Sequence, residues 1–537
     1  MKKTIRIVSA ALALTLGASS VPVQAQAVKD YGKAKNVIVM IPDGMSIEAA
    51  TLARWVDEDH QLEMDELVTG LVRTNNANTP IADSAPAGTA MATGNKSQSP
   101  YVGVYPSQGG MPGAENFDEN RSGSPIANHI EAAERLGKST GIVSTSNVQH
   151  ATPADFSAHH PNRNNFDSLA EQQVFQGMEV VLGAGSTSLM KEKRQDKEDL
   201  IQEIKDQGYQ YMTRPEELKN ITSEKIWGMF DPDALANDWD RDSSKEPALS
   251  EITQAALTIL SKNDKGFFLM VEGSKIDWSA HANDPMGVVS EILAFDKAVA
   301  TAKEFAKSNE DTVLIVASDH GTGGLTLGNS STSSGYDKKP LNEFTDLIRN
   351  AKKTGEGAAA LLNEDRSNAA AVAKDVFGID LTADEIEKMK NTKDGDVAFG
   401  QIISARSAIG WTTEGHVGGD VALYCYAPKS VLPLTGLVHN SEIGQYISSI
   451  MGTDLNALSQ ELFIYSRAAF EQKGAQVNFN YNEGNPILEI TKNGVQYNFP
   501  TNRNYAIVNG EKQPIGGLTV FTGEKIYVPQ GAIDLVK

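Results

Sequence analysis

The chain has 537 residues, of which 22% are charged, and acidic residues outnumber basic ones 69 to 48 for a formal net charge of −21. That balance argues against nucleic acid or an anionic membrane as a partner, and an anionic substrate would need strong local positive charge at its site. A single cysteine, Cys425, excludes an intramolecular disulfide, and the length calls for one large α/β domain with insertions or for two to three units.

The first 27 residues read as a secretory signal peptide. Lys2, Lys3 and Arg6 precede an apolar stretch from Ile7 to about Leu16, and small-residue sites follow at Val23-Gln24-Ala25 and Ala25-Gln26-Ala27. The apolar stretch is too short to span a bilayer and no later run is apolar enough, so the expectation is an exported protein, periplasmic or extracellular, without a membrane span.

Five segments then read as short buried strands: NVIVMI (36–41), TGIVST (140–145), VVLGAG (180–185), FFLMVEG (267–273) and TVLIVAS (312–318). Helical patterns lie between them. One is expected to start at Ser124-Pro125 and end at Gly137; another covers SEILAFDKAVATAKEFAK, 290–307. Continuous β-branched runs alternating with helices predict an α/β fold, a mostly parallel central sheet covered on both faces, with ligands beyond the carboxyl ends of its strands. Residues from about 327 to 410 break the rhythm and read as an insertion on that edge, a lid or a dimer contact; Thr382 and Glu385 have capping-box spacing there. After a linker near Gly474 the pattern alternates apolar and polar, with Asn493-Gly494 and Asn509-Gly510 as hairpin turns. The expected organisation is a signal peptide at 1–27, a catalytic domain at 28–473 and a small β-rich module at 474–537.

Several chemistry-bearing residues fall where such strands end. In VEGSKIDWSAHAND, Glu272 closes a strand, and Asp277 and His281 are four apart, on one helix face, as two ligands of one metal would be; a solvated helix face is the plainer alternative. Asp319-His320 ends a buried strand in VASDHGTGG, and a simple turn explains it equally well. Asp43 in NVIVMIPDGM has the commoner use of a helix N-cap. In IADSAPAGTAMATG, Asp83-Ser84 opens a small-residue helix whose N-terminus would favour an anion. NVQHATPADFSAHHPNR carries His150, Thr152 and Arg163, the last a side chain suited to bidentate phosphate binding, and TTEGHVGGD carries His416. Singly each has a bland explanation. Together they supply histidines, carboxylates, a serine and an arginine converging on one mouth, as two or three divalent ions would require.

Those motifs, in that order and spacing from residue 36 to about 450, resemble the alkaline phosphatases, zinc/magnesium phosphomonoesterases with a serine nucleophile. The resemblance implies that Asp277, His281 and His416 hold one Zn2+. Asp43, Asp319 and His320 hold a second, beside the nucleophile Ser84. Asp43, Thr152 and Glu272 hold a third ion, Mg2+ by family habit. Arg163 would bind the substrate phosphate with Asp83 orienting it, and His150 and Trp278 would stand behind the third ion. The implied substrates are small phosphate esters, hydrolysed through a phosphoserine at alkaline pH, and the implied assembly is a homodimer. The chain departs from the family pattern at Pro42 and Ser46, where glycines are usual, at His150 and Trp278, where some members have Asp and Lys, and at Pro86, where Ala is usual. The competing readings are a superfamily relative acting on phosphodiesters or sulfate esters, and an inactive metal-binding surface protein.

Overall fold

A computed structural model describes residues 29–481 and 485–537; the expected signal peptide lies outside the described residues. Its centre is a ten-stranded sheet. In chain order the strands are β1 (Asn36–Pro42), β2 (Val68–Arg73), β3 (Ser139–Asn147), β4 (Val180–Ala184), β5 (Gln210–Met212), β6 (Ile226–Met229), β7 (Phe267–Gly273), β8 (Thr312–Ala317), β9 (Val421–Tyr426) and β10 (Gly436–His439). Their spatial order is β10-β2-β9-β8-β1-β7-β3-β4-β6-β5. Only β9 runs against the others, antiparallel to both β2 and β8. The mostly parallel sheet expected from the sequence is therefore present, and all five expected strands belong to it.

Strand periodicity explains why both faces are covered. Ile38 and Met40 face one core cluster, with Phe267, Leu269 and Val271 of β7 and Leu314 and Val316 of β8. Val37, Val39 and Ile41 face the other, with Phe268 and Met270, and Val313 and Ile315. Successive side chains point to opposite faces, so a strand apolar at every position needs a helical layer on each side. The Pro285–Ser308 helix covers the first face, and the His129–Arg135 and Asn440–Met451 helices help to cover the second.

Two helix starts differ from expectation. The helix expected at Ser124-Pro125 begins at His129, because Asn128 and Glu131 form a reciprocal capping box at 3.0 Å in each direction. Pro125 instead pairs with Val104 in an isolated bridge. The helix expected from 290 starts at Pro285, capped by Asp284, whose side chain accepts from the Met286 N–H.

Thr326–Leu327 pairs antiparallel with Ile409–Gly410, which closes the base of the expected insertion around five helices. The Thr382–Glu385 capping box is formed. In the C-terminal region five antiparallel strands run from Gln476 to Pro514, with Asn493, Gly494, Asn509 and Gly510 all at positive φ, as type I′ hairpin turns require. Ile464–Tyr465 pairs with Ile526–Val528, and Phe470 packs into the same small core as Leu488, Phe499 and Val528. Residues 31–537 form one compact unit. Among the described residues no helix is long and apolar enough to cross a membrane.

One packing contact yields a stability prediction. The Asn440–Met451 helix meets the Ser84–Thr93 helix at Gly444, where a Cβ would lie 2.4 Å from the Gly94 nitrogen and 2.8 Å from the Met91 carbonyl oxygen. Gly444→Ala is expected to cost about 1–3 kcal/mol, because backbone cannot step aside as a side chain can. Thermal denaturation reads the loss, with kcat at room temperature unchanged.

Candidate active site

The carboxyl ends of β3, β7, β1 and β8, four neighbours in the sheet, open onto one mouth. Each strand delivers polar groups there as the chain leaves it. β1 ends at Pro42, and Asp43 continues its ladder by donating its N–H to the Gly273 carbonyl at 3.2 Å. Pro42 thus leaves Asp43 at the strand's end. Gly44 has φ +74, and a Cβ there would lie 2.7 Å from the Asp277 Cα, so this loop can approach the Lys275–His281 helix only as glycine. Ser46 has become a helix cap, its Oγ accepting from the Ala49 N–H at 3.1 Å. Pro86 sits in the first turn of the Ser84–Thr93 helix, where its missing N–H costs no helical bond.

Ser84 occupies the first helical position and is 2% exposed, with Asp83 as the capping residue. The Asp83 carboxylate makes no cap bond. It accepts from Ser99 Oγ at 2.6 Å and from the Arg163 guanidinium. Burial opposes its charge, but Arg163 and the Ser99 hydroxyl hold it below the usual carboxylate range. The other end of the Arg163 fork lies 3.2 Å from His150 Nε2, and the His150 ring meets Trp278 edge to face at 5.7 Å. Ser84 Oγ itself lies 3.2 Å from His320 Nε2.

The expected ligands gather into three groups, each with donor atoms within 4.8 Å of one another: Asp277, His281 and His416; Asp43, Asp319 and His320; Asp43, His150 and Glu272. In the first group His281 Nε2 is 3.2 Å from His416 Nε2 and 3.3 Å from Asp277 Oδ2. The remaining ring nitrogens are occupied by backbone carbonyls, His281 Nδ1 by Glu414 and His416 Nδ1 by Ala82 at 2.8 Å, which leaves both Nε2 atoms turned inward. In the third group His150 joins Asp43 and Glu272. Thr152 Oγ1 is also near, 3.5 Å from Asp43 Oδ2.

These groups fit divalent cations on the strength of buried atoms left without a hydrogen bond among the described residues. Asp43 Oδ1, Glu272 Oε1, Asp319 Oδ2 and His150 Nδ1 are buried and make no hydrogen bond among the described residues. Buried unpaired carboxylate oxygens are costly unless a cation compensates them. Burial, with the charges of Asp319, Asp277 and Glu272, pushes Asp43 well above the usual range, and burial lifts Glu272 to about 7. Burial also works against the charge on Asp277, yet the His281 hydrogen bond and three nearby imidazoles hold its carboxyl low. Burial draws His281 down, but Asp277 raises it to about 9.

Two contributors were not singled out from the sequence. Thr322 Oγ1 donates to Asp277 Oδ1 at 2.5 Å and lies 3.3 Å from His320 Nδ1; its only signal was its place in the SDHGTGG motif. Ser144 Oγ donates to Glu272 Oε2 at 2.6 Å from inside β3, where a serine in a strand gives no signal.

Comparison with known proteins identifies the family. The alkaline phosphatase family model matches residues 34–453. Alkaline phosphatase 4 of Bacillus subtilis (strain 168) is 34% identical over 450 residues, 79% of this chain and 90% of that protein. The repressible alkaline phosphatase of Saccharomyces cerevisiae is 30% identical over 489 residues, 80% of this chain and 83% of that one. The crystal structure of a cold-active alkaline phosphatase from a psychrophilic Shewanella superposes with a TM-score of 0.67 at 30% identity, covering 78% of this chain and 99% of that chain. That of the Thermus thermophilus alkaline phosphatase gives 0.70 at 26% identity, covering 82% and 96%. Fold, site and relatives concur: this chain belongs to the alkaline phosphatase family and is a phosphatase that uses divalent metal.

Proposed function

We propose that the enzyme is an exported phosphomonoesterase that transfers the phosphoryl group of a small phosphate ester to Ser84 and then to water, at alkaline pH. Asp277, His281 and His416 are assigned to one Zn2+, and Asp43, Asp319 and His320 to a second. Asp43, Thr152 and Glu272, with His150 beside them, are assigned to Mg2+. When bound, these ions supply positive charge that eases ionisation of a hydroxyl and offsets the charge of the phosphate. The observation that carries the reading is the buried Ser84 Oγ at a helix N-terminus, 3.2 Å from His320 and next in the chain to Asp83, whose carboxylate holds the Arg163 guanidinium.

The chemistry follows from those residues. Ser84 Oγ bonds to phosphorus as the P–O bond to the alcohol breaks, and the alcohol leaves with a proton. Water then cleaves the Oγ–P bond, releasing inorganic phosphate and returning a proton to Ser84. The Arg163 fork pairs with the non-bridging oxygens throughout, and the helix N-terminus favours the same negative charge. Alkaline pH suits a step that needs an ionised hydroxyl. Export rests on the pattern of residues 1–27, and the homodimer on the family resemblance. The β-rich module, placed at 474–537 from the sequence, is treated as an accessory to the catalytic part.

The test is turnover of an aryl phosphate monoester, the matching diester and the matching sulfate ester, with zinc and magnesium supplied. The monoester is expected to exceed both by at least about 100-fold in kcat/KM, since only a dianion gives Arg163 and the cations their full set of contacts. A preference for the diester or the sulfate ester would move the enzyme to another branch of the superfamily.

A further inference from the structure

The family match ends at 453, yet residues beyond it reach toward the site. Glu171 and Gln172, adjacent on the Phe166–Gln176 helix, are both fully buried. Glu171 accepts from Arg194, from Arg503 Nη1 at 3.1 Å, from Asn502 Nδ2 at 2.8 Å and from Asn485 Nδ2 at 2.9 Å. Three of those four donors come from the C-terminal module.

Gln172 carries the contact onward. Its Nε2 donates to Asn502 Oδ1 at 3.1 Å and to the His159 carbonyl at 2.9 Å, and its Oε1 accepts from the His159 N–H at 2.8 Å. One side chain therefore grips both backbone groups of His159. The next residues are bonded on their other side: His160 and Val102 exchange two backbone bonds at 2.9 Å, and the Arg163 N–H donates to the Pro100 carbonyl at 2.9 Å. Segment 159–163 thus has its backbone set by Gln172 at one end and by residues 100–102 along its length, and it ends on the guanidinium that meets Asp83 and His150. Asn502 is itself specialised. It is 3% exposed, at φ +62, a conformation Asn tolerates, and its N–H donates to the Thr519 carbonyl at 2.7 Å.

We infer that Asn502 is a positioning residue for phosphate binding: through Gln172 it fixes the 159–163 segment that presents Arg163 to the substrate. The inference rests on the assignment of Arg163 to the phosphate. Geometry at such a site is demanding, and a shift of about 1 Å in a binding group can cost on the order of 100-fold.

The experiment uses the metal-loaded full chain and reads KM for the monoester, Ki for inorganic phosphate, and kcat. Asn502→Gly suits φ +62 and removes only the side-chain links. It is expected to raise KM and Ki by about 3–10-fold, with kcat within about twofold, a split that mere loosening of the module would not produce. Asn485→Ala, which removes a contact to Glu171 but none to Gln172, is expected to leave Ki unchanged. Arg163→Ala is expected to weaken phosphate on its own, and Asn502→Gly on that background to add nothing further. Gln172→Ala breaks the chain one step nearer the site and must give the same loss, which keeps the test decisive should Asn502→Gly not fold. If Arg163→Ala leaves Ki unchanged, the assignment of Arg163 fails. If it weakens phosphate while neither Asn502→Gly nor Gln172→Ala does, if Asn485→Ala weakens it equally, or if the double variant is additive, the positioning role is overturned.

Discussion

Ser84→Ala is expected to lower kcat by about 1,000-fold or more, without lowering the unfolding midpoint and without loss of bound metal. The separation of function from stability follows from where Ser84 stands. It is the first residue of its helix, and the cap position belongs to Asp83, so no capping bond is lost. Alanine is the best helix former, and the hydroxyl's contact is with His320 Nε2 at 3.2 Å. Nothing in the fold depends on that oxygen, whereas the proposed reaction depends on it entirely. Intact-protein mass spectrometry after acid quench adds a direct readout. The natural enzyme is expected to gain one phosphoryl group under turnover and the variant none. A variant retaining more than about a tenth of kcat would mean that water attacks the substrate directly, and Ser84 would lose its role.

What the sequence made legible was what local pattern can carry. Continuous apolar runs mark strands buried on both faces, and the polar residues just past Ile41, Val271 and Ala317 fall at one edge because parallel strands all end there. The hairpin turns at Asn493 and Asn509 were legible because type I′ geometry leaves few residues a choice. The helix start at His129 was misplaced because Pro125 offered a plausible first turn while the capping box three residues on was the stronger signal. Pro42, where glycine is usual, does not end the ladder, since Asp43 supplies the next bond to Gly273. Contacts that join distant segments had no local signature. Asn502 meets Gln172 across 330 positions, and Ser144 meets Glu272 across 128. A serine in a strand or an asparagine after one is ordinary until the partner is known.

Removal of the divalent ions is expected to abolish activity and also to weaken the fold, and the two effects should return together when zinc and magnesium are restored. A cation bound at a thousandfold excess over its dissociation constant contributes about 4 kcal/mol per site, so stripping the centre should lower the unfolding midpoint by on the order of ten degrees. The structure says where that loss originates. Asp43, Glu272 and Asp319 are fully buried, and each keeps a carboxylate oxygen without a hydrogen-bond partner among the described residues. Without cations such groups must take up protons or pull the mouth open. Burial holds Glu272 at about 7 rather than its ordinary 4.5, so the folded metal-free protein binds this proton more tightly than the unfolded chain does. Its contribution is complete below 4.5 and is lost as pH rises through about 7, and Asp43, raised by the same burial, acts in the same direction. The metal-free protein should therefore melt earlier at each step of pH across that window, while the metal-loaded enzyme, whose carboxylates are already ionised against cations, should not follow it. Scanning calorimetry of both forms across the window decides the matter. Parallel curves for the two would mean that these carboxylates are not the ligands.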